Sequence, residues 1–268
     1  MSDPIRIDRQ AGWRRLVLNR PEKLNALDGP MLAALLAALD DAAADPDCRA
    51  LLLSGEGRGF CAGQELGPAV LPGPDGPPDL EALAATWHHR VVARLRALPI
   101  PVVCAVNGVA AGAGASFALA CDIVLAARSA SFVIAFARIG LVPDSGASFF
   151  LPRLIGDARA RALALLAEPV SAATAEQWGM IWRVSEDAAL ATEAAALTAR
   201  LAAGPTAAYA RIKQALAASA GNDLAAQLAL EARLQGEAGR GAAFAEGVRA
   251  FLEKRPPVFS PPAGGAPA

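Results

Sequence analysis

Short apolar runs of strand length alternate with amphipathic stretches in the first half of this chain, and long Ala/Leu-rich runs fill the second. Ile5 to Asp8 and Trp13 to Asn19 read as two strands joined through Gln10-Ala11-Gly12. Asp28, with Pro30 just behind it, begins an amphipathic helix through Ala44. Arg49 to Ser54 reads as a buried strand leading into the glycine-rich loop Gly55 to Gly63, and Gly67 to Pro78 as a surface loop. Asp79 caps a predicted helix to Leu98, and Pro101 to Val106 forms a strand that turns through Asn107–Gly112 into an apolar helix ending at Asp122. Ile123–Ala127 and Ser131–Ala135 are strand-like, and Gly140 to Gly146 is a turn. From Gly156 onward the chain reads as helix apart from a strand at Met180–Val184. Trp178 and Trp182, four apart in an apolar segment, are expected in the core. The pattern predicts an α/β core followed by a helical C-terminal part.

Composition narrows the class. Hydrophobic residues make up 54% of the 268 and charged residues 19%, which fits a folded chain with a full core. A net charge of -1 gives no electrostatic case for nucleic acid or an anionic membrane surface. Cys48, Cys61, Cys104 and Cys121 have no CxxC spacing and do not pair with His88 or His89, so no metal site is expected and a reduced, cytoplasmic chain is. No apolar signal segment follows Met1. Ala97 to Cys121 lacks charge and is long enough to span a bilayer, but Pro99, Pro101, Asn107 and several glycines favour a buried strand, turn and helix.

Candidate chemistry lies in two glycine-rich loops, each following a strand: Phe60-Cys61-Ala62-Gly63-Gln64 and Gly108 to Gly114. Small residues at a strand-to-helix junction admit close approach to the backbone and leave first-turn N–H groups free, so an anion can bind or develop there. Either loop alone is equally consistent with a tight βα turn. Neither fits a dinucleotide or Walker phosphate-binding fingerprint. Arg58 could face phosphates or solvent, and the Cys61 thiol has no adjacent base to activate it.

Asn19 to Ala26, Gly57 to Leu66, Ala105 to Gly114, Ala120 to Val124, Gly140 to Pro143 and Phe251 to Arg255 occur in an order that closely resembles the enoyl-CoA hydratase/isomerase (crotonase) superfamily over nearly the whole chain. The resemblance implies a spiral of ββα units over residues 1–200 and a C-terminal helical oligomerisation region over 201–268. It also implies an acyl-CoA thioester substrate and a homotrimer or dimer of trimers. No separate cofactor is expected, since coenzyme A arrives as part of the substrate. Carried over by position, the backbone N–H groups of Gln64 and Ala113 form an oxyanion hole. Lys23, Leu24, Ala62, Gln64, Glu65 and Leu66 line the CoA channel, and Phe251 and Lys254 reach CoA from a neighbouring subunit.

The positions of the two hydratase glutamates hold Ser116 and Phe136 here, neither of which exchanges a proton at neutral pH, so hydration is disfavoured. Asp144 matches the position of the isomerase aspartate, although Asp after Pro143 is also an ordinary turn residue. The branch most resembled opens a ring epoxide of phenylacetyl-CoA to an oxepin and also moves a 3-enoyl double bond to position 2; its Asp-Cys-Gly-Gly is Asp144-Ser145-Gly146-Ala147 here. Other readings are an aroyl-CoA dehalogenase with His89 as base, a hydratase, or a catalytically silent acyl-CoA-binding subunit; His88 and His89 otherwise read as a partly exposed pair on a helix.

Overall fold

The computed structural model describes residues 3–67, 71 and 76–259. The hairpin forms as expected: β1 (Ile5–Gln10) pairs antiparallel with β2 (Trp13–Leu18), with Gly12 at φ +78° in the turn. α1 (Gly29–Ala44) starts where Asp28 accepts the Met31 N–H at 2.8 Å. Met31, Leu32, Leu35, Leu36 and Leu39 recur on its buried face. Truncating one such leucine to alanine would cost about 2–5 kcal/mol.

The chain then makes three similar turns. β3 (Leu51–Gly55) and β4 (Gly59–Cys61) lead into α2 (Leu80–Leu83) and α3 (His89–Ala97). β5 (Val102–Val106) and β6 (Val109–Ala111) lead into α4 (Ala113–Ala120). β7 (Ile123–Ala127) and β8 (Ser131–Val133) lead into α5 (Ala147–Ile155) and α6 (Asp157–Leu166). The first strand of each pair joins one sheet, ordered β1-β2-β3-β5-β7-β10, and the second joins another, ordered β4-β6-β8-β9; β9 is Val170–Ser171 and β10 is Arg183–Ser185. Neighbours within the repeats are parallel, which requires a crossover after every pair, and the helices supply it. β3 and β5 are buried throughout, which is why they read as continuous apolar runs. The result is the expected α/β spiral of ββα units. The uncharged stretch from Ala97 to Cys121 becomes β5, β6 and α4, and among the described residues no helix is long and apolar enough to cross a membrane.

Several local expectations are corrected. The helix after Asp79 is interrupted by a π turn over Ala84–His88. The strand expected at Ser131–Ala135 stops at Val133 and becomes a 3-10 helix over Ala135–Ile139. The strand expected at Met180–Val184 starts only at Arg183, because the Met180 N–H bonds back to Ala175 at the end of α7 (Ala172–Gln177). Trp178 and Trp182 therefore do not share a helix. Trp178 packs partly buried on the core, whereas Trp182 is 50% exposed beneath the Arg183 guanidinium. Much of the loop at Gly67–Pro78 lies outside the described residues.

α8 (Leu190–Ala202) packs on β3, β5 and β7. α9 (Thr206–Ser219), α10 (Leu224–Gly239) and α11 (Ala242–Leu252) follow it. α9 has no buried residue, and Ile212, Leu216, Leu228, Phe244, Val248 and Phe251 are exposed along the three. α9 is tied to the core where Lys213 Nζ meets Asp122 at 2.7 Å and donates to the Ile100 carbonyl at 2.9 Å.

Candidate active site

β4 and β6 are parallel neighbours, so the loops leaving their carboxyl ends lie side by side. Gly112, at φ +51° and ψ −125°, swings the chain from β6 into α4 in a conformation that a side chain rarely adopts. The loops pack backbone to backbone. A Cβ on Gly63 would stand 2.8 Å from the Ala111 carbonyl oxygen and 3.6 Å from the Ala113 nitrogen. On Gly114 it would stand 2.5 Å from the Cys61 carbonyl oxygen.

The two expected donors are free. The Leu27 N–H donates to the Gly63 carbonyl and the Glu65 N–H to the Leu27 carbonyl, both at 2.8 Å, which steps over Gln64. Ala113 is the first residue of α4 and has no helical acceptor. Neither N–H donates to a backbone or side-chain acceptor among the described residues, whereas the neighbouring Gly112 N–H is taken by the Val133 carbonyl. Two unpaired donors on touching loops can hold a carbonyl oxygen as it becomes an enolate, each stabilising the transition state by about 2.7–4 kcal/mol.

Two asparagines brace this arrangement. Asn25 is fully buried at φ +55° and donates to the carbonyls of Glu56, Gly59 and Phe60 while accepting the Arg20 N–H. Asn107 donates to the Gly57 carbonyl at 2.8 Å and accepts the Gly55 N–H at 3.2 Å. The sequence reading did not single out these braces. Asn25 could have been found, since Asn tolerates left-handed backbone.

Of the residues assigned to coenzyme A, six come together. The Ala62 N–H donates to the Leu24 carbonyl at 3.0 Å, and Glu65 sits 2.7 Å from Arg20 and 3.4 Å from Lys23. The Arg20 hydrogen bond, with Lys23 assisting, holds the Glu65 carboxyl below its ordinary range. Gln64 is half-buried, while Lys23 and Leu66 are exposed. Phe251 and Lys254, at the end of α11, are exposed and share no hydrogen bond with that cluster.

Asp144 lies in the turn that leads into α5, next to the first turn of α4. Ser145 Oγ donates to its Oδ1 at 2.8 Å, and Ser116 Oγ donates to its backbone carbonyl at 3.2 Å and to that of Gly112 at 3.3 Å. Ser145 and Gly146 are both left-handed, at φ +52° and +83°, which sharpens the turn into α5. The buried Phe136 ring comes within 3.9 Å of where a Cβ on Gly112 would lie, so Asp144, Ser116 and Phe136 surround the start of α4. Burial pushes the Cys61 thiol up to about 12, so it is no nucleophile. Among the described residues no group of three potential ligands could hold a metal ion.

The histidines correct the sequence reading, which treated both as a partly exposed pair and weighed His89 as a base. His89 is exposed, whereas His88 is 3% exposed with its ring beside Phe117. No periodicity in the sequence marks this difference, because the π turn sets it.

A free pair of backbone donors on touching ββα loops, with the turn that carries Asp144 packed on the helix that starts at one of them, is an arrangement suited to a carbonyl that becomes anionic. The family model for enoyl-CoA hydratase/isomerase matches residues 8–262. The chain belongs to this family and is an enzyme of it. It is 50% identical over 252 residues to a 1,2-epoxyphenylacetyl-CoA isomerase of Escherichia coli, covering 94% of this chain and 96% of the relative. It is 47% identical to a probable enoyl-CoA hydratase of Rhodobacter capsulatus, covering 96% and 97%. A crystal structure of a putative enoyl-CoA hydratase/isomerase from Mycobacterium abscessus superposes with a TM-score of 0.89 at 39% identity, covering 96% and 99%.

Proposed function

We propose that this enzyme is an acyl-CoA isomerase that converts a ring-epoxide of phenylacetyl-CoA to the oxepin thioester, shifts a 3-enoyl-CoA double bond to position 2, or does both. The observation that carries the reading is the single carboxylate: Asp144 is fastened by Ser145 and Ser116, while the sites of the two hydratase acids hold Ser116 and Phe136. Two acids suit the addition of water, whereas one suits removing a proton and returning it elsewhere on the same molecule.

The thioester carbonyl lies between the Gln64 and Ala113 N–H groups, which lowers the cost of forming an enolate at the α-carbon. Asp144 takes the α-proton. For a 3-enoyl chain it returns that proton two carbons further along. For the epoxide, the ring C–C bond between the two oxygen-bearing carbons opens and the proton returns to a ring carbon, so no atom is gained or lost. Lys23, Leu24, Ala62, Glu65 and Leu66 hold the CoA moiety, with Phe251 and Lys254 supplied by an adjoining subunit of a homotrimer or a dimer of trimers. The uncovered apolar residues of α9–α11 support that assembly. The similarity to the E. coli 1,2-epoxyphenylacetyl-CoA isomerase supports a place in aromatic-acid breakdown.

The test is Asp144→Asn assayed on ring-epoxide and 3-enoyl thioesters. Turnover should fall about 10²–10⁴-fold with thioester binding retained. Near-normal turnover on both would remove Asp144 from the mechanism. A product heavier by one water would instead make the enzyme a hydratase, and binding without proton exchange in deuterated water would make it a silent subunit.

A further inference from the structure

Behind the Gln64 donor stands a charge that the mechanism above does not use. Only 18% of the Arg20 side chain is exposed, and its guanidinium meets three acceptors. Nη1 donates to the Ala26 carbonyl at 2.7 Å and lies 3.0 Å from Asp28, while Nη2 donates to Glu65 at 2.7 Å. The Ala26 carbonyl belongs to the peptide unit whose other end is the Leu27 N–H, and that N–H donates to the Gly63 carbonyl at 2.8 Å. The Gly63 carbonyl in turn shares a peptide unit with the Gln64 N–H. A trans peptide unit is planar, so its C=O and N–H point in opposite directions. Two hydrogen bonds and two peptide units therefore lead from the guanidinium to the free Gln64 N–H.

Such a chain acts in two ways. It fixes direction, because turning the Gly63–Gln64 peptide over would break the bond from Leu27. It also transmits charge. A cation on the Ala26 carbonyl makes the Leu27 N–H a stronger donor, which polarises the next peptide unit and strengthens the Gln64 N–H in its turn. The planar guanidinium has N–H groups left for Asp28, which caps α1, and for Glu65, which adjoins Gln64. The second donor has no such backing. Among the described residues the Gly112 carbonyl, which shares the Ala113 peptide, takes only the Ser116 N–H at 3.1 Å and the Ser116 hydroxyl at 3.3 Å, both neutral.

We infer that Arg20 is a positioning residue that aims and polarises the Gln64 N–H through the Ala26–Leu27 and Gly63–Gln64 peptide units, so that one of the two oxyanion donors is charge-assisted from behind. This rests on the reading of Gln64 as an oxyanion donor. Arg20 exchanges no proton and acts only through Gln64.

The test follows the thioester carbonyl stretch of bound phenylacetyl-CoA, carbon-labelled at that position, by isotope-edited infrared spectroscopy. The parent enzyme is compared with Arg20→Gln and Arg20→Lys, after circular dichroism confirms folding. In the parent the band should move to lower wavenumber on binding. In Arg20→Gln it should return part of the way towards the free thioester, and kcat should fall about three- to thirtyfold with thioester affinity changed less than about threefold. Arg20→Lys, which keeps the charge but not the fork, should lie between the two, and it answers the question if Arg20→Gln does not fold. A parent-like band in a folded variant, whatever its melting temperature, would leave Arg20 a structural role and overturn the inference alone. No shift in the parent would remove Gln64 and Ala113 from the thioester carbonyl, and so overturn the reading on which the inference rests.

Discussion

Ser116 Oγ donates to the backbone carbonyl of Asp144 at 3.2 Å, so the first turn of α4 fastens the turn that carries the proposed acid. Ser145 completes the grip by donating to Asp144 Oδ1 at 2.8 Å.

Ser145→Gly isolates that second contact, because glycine accepts φ +52° readily. We expect kcat to fall roughly three- to tenfold, in line with loss of one hydrogen bond, with KM and melting temperature nearly unchanged. A large fall in melting temperature would show that the hydroxyl serves the fold instead of Asp144.

Gly114→Ala tests the contact between the two loops. Its Cβ would lie 2.5 Å from the Cys61 carbonyl oxygen and 2.7 Å from Sγ, deep in the core, so the loops must separate. Overpacking of this kind costs about 1–3 kcal/mol. Activity should fall further than stability, since the donors at Gln64 and Ala113 lie on the parts that move. Chemical denaturation and steady-state kinetics on the same sample separate the two effects.

Lys23→Ala should weaken the substrate's CoA end without touching the chemistry. Lys23 is exposed and sits 3.4 Å from Glu65. KM should rise several-fold with kcat held, and the difference should shrink in high salt because the charge is solvent-facing. A drop in kcat at saturating substrate would place Lys23 nearer the reaction than proposed.

Acid should loosen the tail of α11. Glu246 accepts from Arg255 and from the Val258 N–H, and its carboxyl is pulled down to about 2, chiefly by Arg255. A lowered carboxyl stabilises the fold above its unfolded value near 4.5 and ceases to do so as pH falls through 2. Glu246→Gln should therefore flatten the pH dependence of stability in that window and lower stability at neutral pH. Thermal melts at pH 7 and pH 3 supply the comparison; identical slopes for both proteins would discount the pair.

How much was legible in advance depends on which forces set each feature. β3, β5 and α1 were readable because burial on both faces or on one stripe leaves a periodic trace. The loops around Gly63 and Gly112 were readable because close backbone approach demands small residues. The end of β8, the late start of β10 and the exposure of Trp182 were not, since backbone hydrogen bonds to Ala175 and neighbouring packing decide them and leave no periodic mark. Asn25 and Asn107 escaped notice because their partners are carbonyls more than thirty positions away. The inward histidine was misjudged for a further reason: helical phase cannot be counted across a turn of different pitch.

That turn in the helix after Asp79 has an evolutionary corollary. Successive residues on a regular helix are about 100° apart, so removing a single position between Ala84 and His88 would swing the imidazole outward and turn a neighbouring side chain toward Phe117. Relatives could exchange the group packed against Phe117 by gaining or losing one amino acid, leaving every flanking letter intact, and a position-by-position tally of substitutions would miss the change.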